Sequence, residues 1–491
     1  MHGTLAHDIR DVPHGRIDYI HYYSTSLGAT NNAVVCLPPG YETHKDKYYP
    51  VFYLISGTTD TEEVYYKVGR VNYILDNLLA EGAAEEMIVV LPYGNPYKLL
   101  PTPSTGTMPQ MQFGGDVFSR DLIGDLLPYV EQHYRTINDR DHRAIGGFSR
   151  GGNQGLLNGL SNLDKFSYLC SYSSFTTTEI PEVYDNADAT NQQLHLFWLG
   201  VGTDDFLYGN ARDYMEFLDK KGIRAVKEFT TDKFGHTWMN AKYFLDKTLR
   251  LLFRPEASRQ AMQSARPTPA ATGNEQQFTA GVMARLFPKP ILSPEFAEHQ
   301  ITFRFKATDA HEVLLTGEPF ASPRPLQCDS EGVWSITVTD PVPDVFKYYF
   351  IVDGTALADP QNMYLSPDKG FKQSICARPT APYALGVMGN DVAHGTVSYD
   401  LNRNEAWYMP ATTDKPTEVI QLVPGKDDTM ESWFKTGGAD AIADLLIAQG
   451  KARPCILTTS RSIITSRVLR ADDYKTWAER RQALISMLTI K

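Results

Sequence analysis

The chain has 491 residues, too many for one compact core at the usual ~100 to 200 residues per domain. With 42% hydrophobic and 21% charged residues, its composition excludes a disordered, collagen-like or coiled-coil protein. The net charge of −11 gives no global support for a nucleic-acid or anionic-membrane partner, and a neutral substrate fits better.

In chain order, residues up to about 255 alternate strand and helix patterns. Val51 to Ile55 reads as a strand, and Val68, Val71, Ile74, Leu75, Leu78 and Leu79 recur in steps of three and four, one face of a helix. Met87 to Leu91 reads as a buried strand, and Leu122, Ile123, Leu126, Leu127, Val130 and Tyr134 form a second helical stripe. Arg143 to Phe148, Leu194 to Val201 and Ala225 to Phe229 are further strand candidates, each followed by a helix-compatible segment. Such crossovers predict a largely parallel sheet covered on both faces.

Residues 254–276, with Pro255, Pro267 and Pro269 and little apolar periodicity, read as a linker. Beyond it the period becomes two: Ile301, Phe303 and Phe305 alternate with polar residues, and Val333 to Val338 and Phe346 to Val352 are β-rich. Asp353-Gly354 supplies a hairpin turn, so a small β-sandwich is expected.

The last segment repeats the first. Asp11-Val12-Pro13-His14-Gly15 recurs as Asp391-Val392-Ala393-His394-Gly395, and Val51 to Val90 align without a gap at an offset of 368, with 15 identities in 40 positions. Average usage gives roughly two or three by chance, so this is a domain duplication. At that offset the counterpart of Ser149 would fall beyond Lys491, no glycine follows Gly450 and no histidine follows His394. The third segment therefore reads as a truncated, inactive copy of the first half. Recurrence of His14 as His394 argues for a structural turn role in both.

Gly147-Phe148-Ser149-Arg150-Gly151 is a G-x-S-x-G motif between a predicted strand and a predicted helix, the context of a nucleophile elbow. A serine is a poor nucleophile at neutral pH without a base, and the base needs an acid to orient it. Asp205 follows at the end of a predicted strand, 56 residues on, and His236 in a loop 31 residues later, in the order nucleophile, acid, base. Asp204 and Asp205 also suit the N-cap of the next helix; Asp204 fits a turn or cap role and Asp205 the orienting acid. An oxyanion hole would draw on the backbone N–H groups of Arg150 and Thr58, although Gly57 to Asp60 could be only a connection. The proline-punctuated loop between Gly94 and Asp116, with Tyr97, Met108, Met111 and Phe113, could wall an apolar pocket or lie on the surface. The five cysteines (Cys36, Cys170, Cys328, Cys376, Cys455) are far apart and read as buried small hydrophobes. No metal-ligand cluster, phosphate loop or cofactor motif is found, so no metal and no cofactor is expected. No membrane span is found, and Met1 to Asp8 lacks the apolar run of a signal peptide.

These motifs, with Leu37-Pro38-Pro39-Gly40-Tyr41, Gly202-Thr203-Asp204-Asp205 and Gly235-His236-Thr237-Trp238, resemble the feruloyl and acetyl-xylan esterases of carbohydrate esterase family 1. The resemblance spans the first ~255 residues and departs at Ser56, where relatives usually have histidine. Val333-Trp334 and Tyr348 to Gly354 are similar to family-48 carbohydrate-binding modules, with Trp334 expected in the core and no sugar-binding residue named there. The implied organisation is an α/β-hydrolase domain over 1–255, a linker over 256–276, an immunoglobulin-like β-sandwich over 277–376 and a partial α/β segment over 377–491. The resemblance implies a serine esterase releasing feruloyl groups from arabinoxylan through an acyl-enzyme, with Ser149, Asp205 and His236 catalytic and Trp238 and Met111 at the substrate. Acetyl-xylan esterase, or a carbohydrate-binding protein with a decayed esterase domain, is the alternative. Feruloylated or acetylated xylan is the implied partner, and a secreted or periplasmic location follows from the family.

Overall fold

The computed structural model describes residues 5–58, 60–94, 116–231, 234–273, 275, 277, 279, 291–339, 342–412, 416, 418–463, 465 and 467–490. The chain divides into two compact units, 1–283 and 284–491.

In the first unit the strands are β1 (Arg16–Ser24), β2 (Ala29–Leu37), β3 (Val51–Ile55), β4 (Ile88–Pro92), β5 (Arg143–Phe148), β6 (Tyr168–Tyr172), β7 (Leu196–Gly202) and β8 (Val226–Thr230). They are hydrogen-bonded in the order β1-β2-β4-β3-β5-β6-β7-β8. From β4 to β8 every pairing is parallel, while β1 and β2 form an antiparallel hairpin whose second strand runs antiparallel to β4. All residues of β3, β4 and β5 are buried, as strands covered on both faces must be. Each large apolar side chain there contributes roughly 1.5–3 kcal/mol by leaving water.

Three expectations change. The stripe beginning at Val68 is broken: one short helix covers Val64–Lys67, Arg70 turns left-handed at φ 54°, and the next helix begins at Val71, leaving Val68 exposed. The expected linker opens with a helix, Pro255–Gln263, whose buried Met262 sulfur accepts the β7 Phe197 N–H at 3.3 Å. Further on, Thr268 Oγ1 donates to Asp219 and Arg212 Nε donates to Pro269 O, so this stretch is fastened to the first unit. Cys328 is exposed, on an outer strand of two residues, while the other four cysteines are buried.

The second unit begins with a β-sandwich. One sheet joins Gln327–Cys328, Val333–Thr339, Gln300–Lys306 and Glu295–Phe296; the other is built on Val313–Gly317 and Val345–Val352, all antiparallel. Ile301, Phe303, Phe305, Leu315, Phe346 and Phe350 meet between the sheets, and Trp334 packs on them while its Nε1 donates to Ala307 O at 2.9 Å. Asp353 and Gly354 both take positive φ, 45° and 82°, closing the expected hairpin between Val352 and Thr355.

Strands Thr396–Asp400, Glu405–Met409, Cys455–Thr458, Glu418–Val423 and Arg467–Arg470 lie side by side in that order, repeating β1-β2-β4-β3-β5. The segment rests on the sandwich: the carboxylate of Glu318 accepts from Lys347 N and Trp477 N, and Lys369 N donates to Asp427 O. The repeated histidine has one role in both copies. His14 Nδ1 lies 2.9 Å from Asp76 Oδ2, which also accepts from Gly15 N; His394 Nδ1 lies 3.1 Å from Asp444 Oδ2, with Gly395 N donating to the same carboxylate. Each pair is buried and pins the chain entering the copy to its first long helix.

The copy is not simply cut off at its C-terminal end, as the constant offset suggested. Its fifth strand, Arg467–Arg470, follows the fourth without the long helix that precedes β5, and after it the copy passes over the rest of the domain to rejoin it near the end. Trp477–Leu488, N-capped by Thr476, repeats Trp238–Leu249, N-capped by Thr237. The indole of Trp238 stands edge-on to Tyr65 at 5.0 Å, that of Trp477 edge-on to Trp433 at 5.6 Å, and both crowd the equivalent glycines, Gly69 and Gly437.

Candidate active site

Ser149 sits between β5 and the Arg150–Ser161 helix at φ 58°, ψ −123°. That left-handed value costs a non-glycine residue roughly 1–3 kcal/mol and is held by its surroundings. Ser149 N donates to Tyr172 O at 2.9 Å and Ser149 O accepts from Asn153 N at 3.1 Å. The flanking glycines are required by contact: a Cβ on either Gly147 or Gly151 would collide with the Ile55 carbonyl oxygen at the end of β3. The serine is thus forced out of the turn. Arg150 N is the first N–H of its helix and has no intrahelical acceptor.

Asp205 follows β7 and His236 lies in the loop after β8. His236 Nδ1 is 3.0 Å from both Asp205 carboxylate oxygens. A carboxylate only accepts, so Nδ1 carries the proton and Nε2 is left as the basic nitrogen. The Asp205 side chain is fully buried and that of His236 is 17% exposed, so the acid is shielded while the ring reaches the surface. The imidazole packs between Phe148, the residue before Ser149, and Phe206, with ring centroids 4.6 and 4.3 Å away. Asp205 Oδ1 also accepts from Leu207 N at 2.8 Å. Asp204 is exposed in the turn after β7 and does not cap the Tyr208–Lys221 helix, whose N-cap is Leu207.

Thr58 lies just past β3, and Gly57 lies beside Ser149, where a Cβ on it would stand 3.7 Å from Ser149 Cβ. Ser56 is buried, and among the described residues its Oγ finds no partner. The Trp238 indole, partly exposed, packs against Phe148, Tyr65 and Gly69. The same indole persists as Trp477 in the copy, which has no serine at the position of Ser149. Met111 and the rest of residues 95–115 lie outside the described residues.

Strand register fixes what the copy has at these positions. β3 pairs with β5 so that Ile55 faces Gly147; the equivalent Val423 faces Arg470. Counting on from there, Asp472 stands at the position of Ser149 and Asp473 at that of Arg150. Lys475, preceding the Thr-Trp pair, stands at that of His236. Lys426, the counterpart of Thr58, donates its backbone N–H to Asp472 Oδ1 at 3.2 Å. Sequence comparison missed this correspondence because beyond the gap-free stretch, which ends at residue 458, the dipeptide Thr-Trp is too short to signal it.

Residues 24–237, in the N-terminal half, match the family model described as "Putative esterase". The chain is 29% identical over 250 residues to an endo-1,4-beta-xylanase/feruloyl esterase of Xylanibacter ruminicola, covering 50% of this chain and 32% of that protein. It is 24% identical over 218 residues to endo-1,4-beta-xylanase Y of Acetivibrio thermocellus, covering 40% of this chain and 18% of that one. The matched region thus spans a third or less of these relatives. A ferulic acid esterase from Anaeromyces mucronatus, solved with ferulic acid, matches at 24% identity and TM-score 0.43, covering 51% of this chain and 94% of that chain. Among the described residues no group of side chains could hold a metal ion, and no helix is long and apolar enough to cross a membrane.

Proposed function

We propose that the protein is a serine esterase that releases feruloyl or related hydroxycinnamoyl groups from arabinoxylan. The observation that carries this reading is the buried Asp205 carboxylate gripping His236 Nδ1 beside the strained Ser149 turn. His236 Nε2 takes the Ser149 hydroxyl proton as Oγ attacks the ester carbonyl. The carbonyl oxygen becomes an oxyanion, held by the N–H groups of Arg150 and Thr58. Collapse expels the sugar hydroxyl, which receives the proton from His236 and leaves an acyl-Ser149 ester. Water, deprotonated by His236, then hydrolyses that ester and frees both the acid and Ser149.

The second copy supports the choice of Thr58, because its equivalent N–H, on Lys426, points at an oxygen of the residue in the nucleophile's register. The feruloyl preference rests on the described activity of the Xylanibacter relative, and a secreted or periplasmic site of action belongs to the same reading. The test is a product profile on feruloylated arabinoxylan and acetylated xylan with wild type and Ser149→Ala. Ferulate release that depends on Ser149 is expected; acetate release alone would move the assignment to acetyl-xylan esterase. Retained turnover in Ser149→Ala would remove the mechanism.

A further inference from the structure

The Arg150 side chain does something that the motif does not ask of it. The residue is only 8% exposed, and its guanidinium bonds among the described residues to main-chain carbonyls: Nη2 donates to Gly57 O at 3.0 Å and Nη1 to Gly94 O. Among the described residues no carboxylate hydrogen-bonds to it, and its Nε is buried without a partner. Burial pulls the group down to about 10, against the opposing influence of Tyr93 and Asp60, so it keeps its charge at neutral pH. A desolvated cation with such partners is costly, and it is placed one residue from the nucleophile.

The Gly57 carbonyl and the Thr58 N–H belong to one planar trans peptide and point in opposite directions. Fixing the oxygen therefore fixes the donor, and a positive charge on the oxygen polarises the N–H. Gly94 O, which also accepts from Gln154 Nε2 at 3.1 Å, ties the end of the β4 segment to the same guanidinium. The planar fork of arginine reaches both carbonyls at once, which a lysine ammonium on its flexible stem does less well. In the copy, register puts Asp473 at this position, exposed to solvent, and there the Lys426 N–H meets a resident carboxylate and no substrate oxygen.

We propose that the Arg150 guanidinium is a positioning residue for ester hydrolysis, setting the plane of the Gly57–Thr58 peptide and so aiming the Thr58 N–H at the oxyanion. This rests on the esterase reading above. The experiment measures kcat and KM on methyl ferulate for the full chain, wild type, Arg150→Met and Arg150→Lys. Each rate is normalised to competent sites titrated with an irreversible phosphonate, so that loss of folded protein does not register. Losing one oxyanion donor costs ~10²- to 10³-fold in kcat, so Arg150→Met should lose roughly 10²-fold with KM within about twofold, and Arg150→Lys roughly tenfold. If Arg150→Met does not fold, Arg150→Lys alone carries the test. Wild-type kcat per titrated site in the folded variants, or a loss confined to KM, overturns the role of Arg150. A wild type without Ser149-dependent hydrolysis overturns it together with the esterase reading.

Discussion

The turn that carries Ser149 and the turn that carries Asp472 close the same strand position in two copies of one scaffold. What the copies share is packing: His14 with Asp76 and His394 with Asp444, Tyr65 under Trp238 and Trp433 under Trp477, and the tight glycines Gly69 and Gly437. They differ in the groups that would touch an ester. Serine, arginine and histidine become Asp472, Asp473 and Lys475, and among the described residues the copy has no counterpart of β6, β7 or β8. A carboxylate in the place of Ser149 accepts from the Lys426 N–H, the counterpart of the Thr58 N–H proposed to hold an oxyanion. Residues held in common therefore serve the fold, and residues confined to the first copy are the candidates for chemistry.

That division is broken most directly by removing the chemistry from one copy. Ser149→Ala and His236→Ala should each lower kcat on methyl ferulate by roughly 10⁴- to 10⁶-fold, with no residual turnover from the second copy. A residual rate that disappears on mutation of Asp472 or Lys475 would show that the copy has chemistry of its own. Asp205→Asn should follow with a loss of roughly 10⁴-fold, because an amide can hold the wrong imidazole tautomer while the geometry stays intact. The shared residues should behave in the opposite way. Trp477→Ala should cost about 3–5 kcal/mol of stability for a fully buried indole and leave ester hydrolysis unchanged below the melting temperature. Trp238→Phe should keep KM within twofold if that ring serves packing, as calorimetry beside steady-state kinetics would show.

The parallel strands β3, β4 and β5 were legible because burial on both faces leaves an unbroken apolar run, and the Ser149 turn and the Asp205–His236 pair because their motifs, order and loop positions are distinctive. The hairpin of β1 and β2 escaped notice for a physical reason. Asp18, His21, Asn31 and Thr30 are buried in it, so polar groups satisfied inside the fold erase the expected pattern. Arg16 bonds Asp18 at 2.7 Å, and Tyr22 and Asn31 both bond Asp121. The hydrogen bonds of the Arg150 side chain were equally hidden, since its acceptors are main-chain carbonyls that any residue can supply. In the copy, a deletion between two matched stretches defeated reasoning from a constant offset; strand register recovers the correspondence because it counts through the sheet and not along the chain.

Asp121 gives the smallest expected effect, and it falls in a part of the first copy that the second omits. It lies in a π-helical turn, Asp121–Leu126, within the helix that leads to His133. Its Oδ2 accepts from Tyr22 OH at 2.9 Å and Asn31 Nδ2 at 3.0 Å, while Oδ1 is buried and finds no partner among the described residues. Burial pushes the carboxyl up to about 6, and the nearby Asp125 adds to this against the hydrogen bonds from Ser24, Tyr22 and Asn31. The folded state then holds a proton that the unfolded chain, near its ordinary value of 3.8, has released. The stabilisation this gives is full below about pH 4 and is lost as pH rises through 6. Asp121→Asn keeps an oxygen for Tyr22 and Asn31 and cannot ionise. Relative to wild type, it should therefore gain stability between pH 4 and pH 8, on the order of 2 kcal/mol, in urea titrations at the two values. An unchanged difference would mean that the carboxyl titrates alike in both states, and that this buried cluster, absent from the second copy, carries no pH dependence of its own.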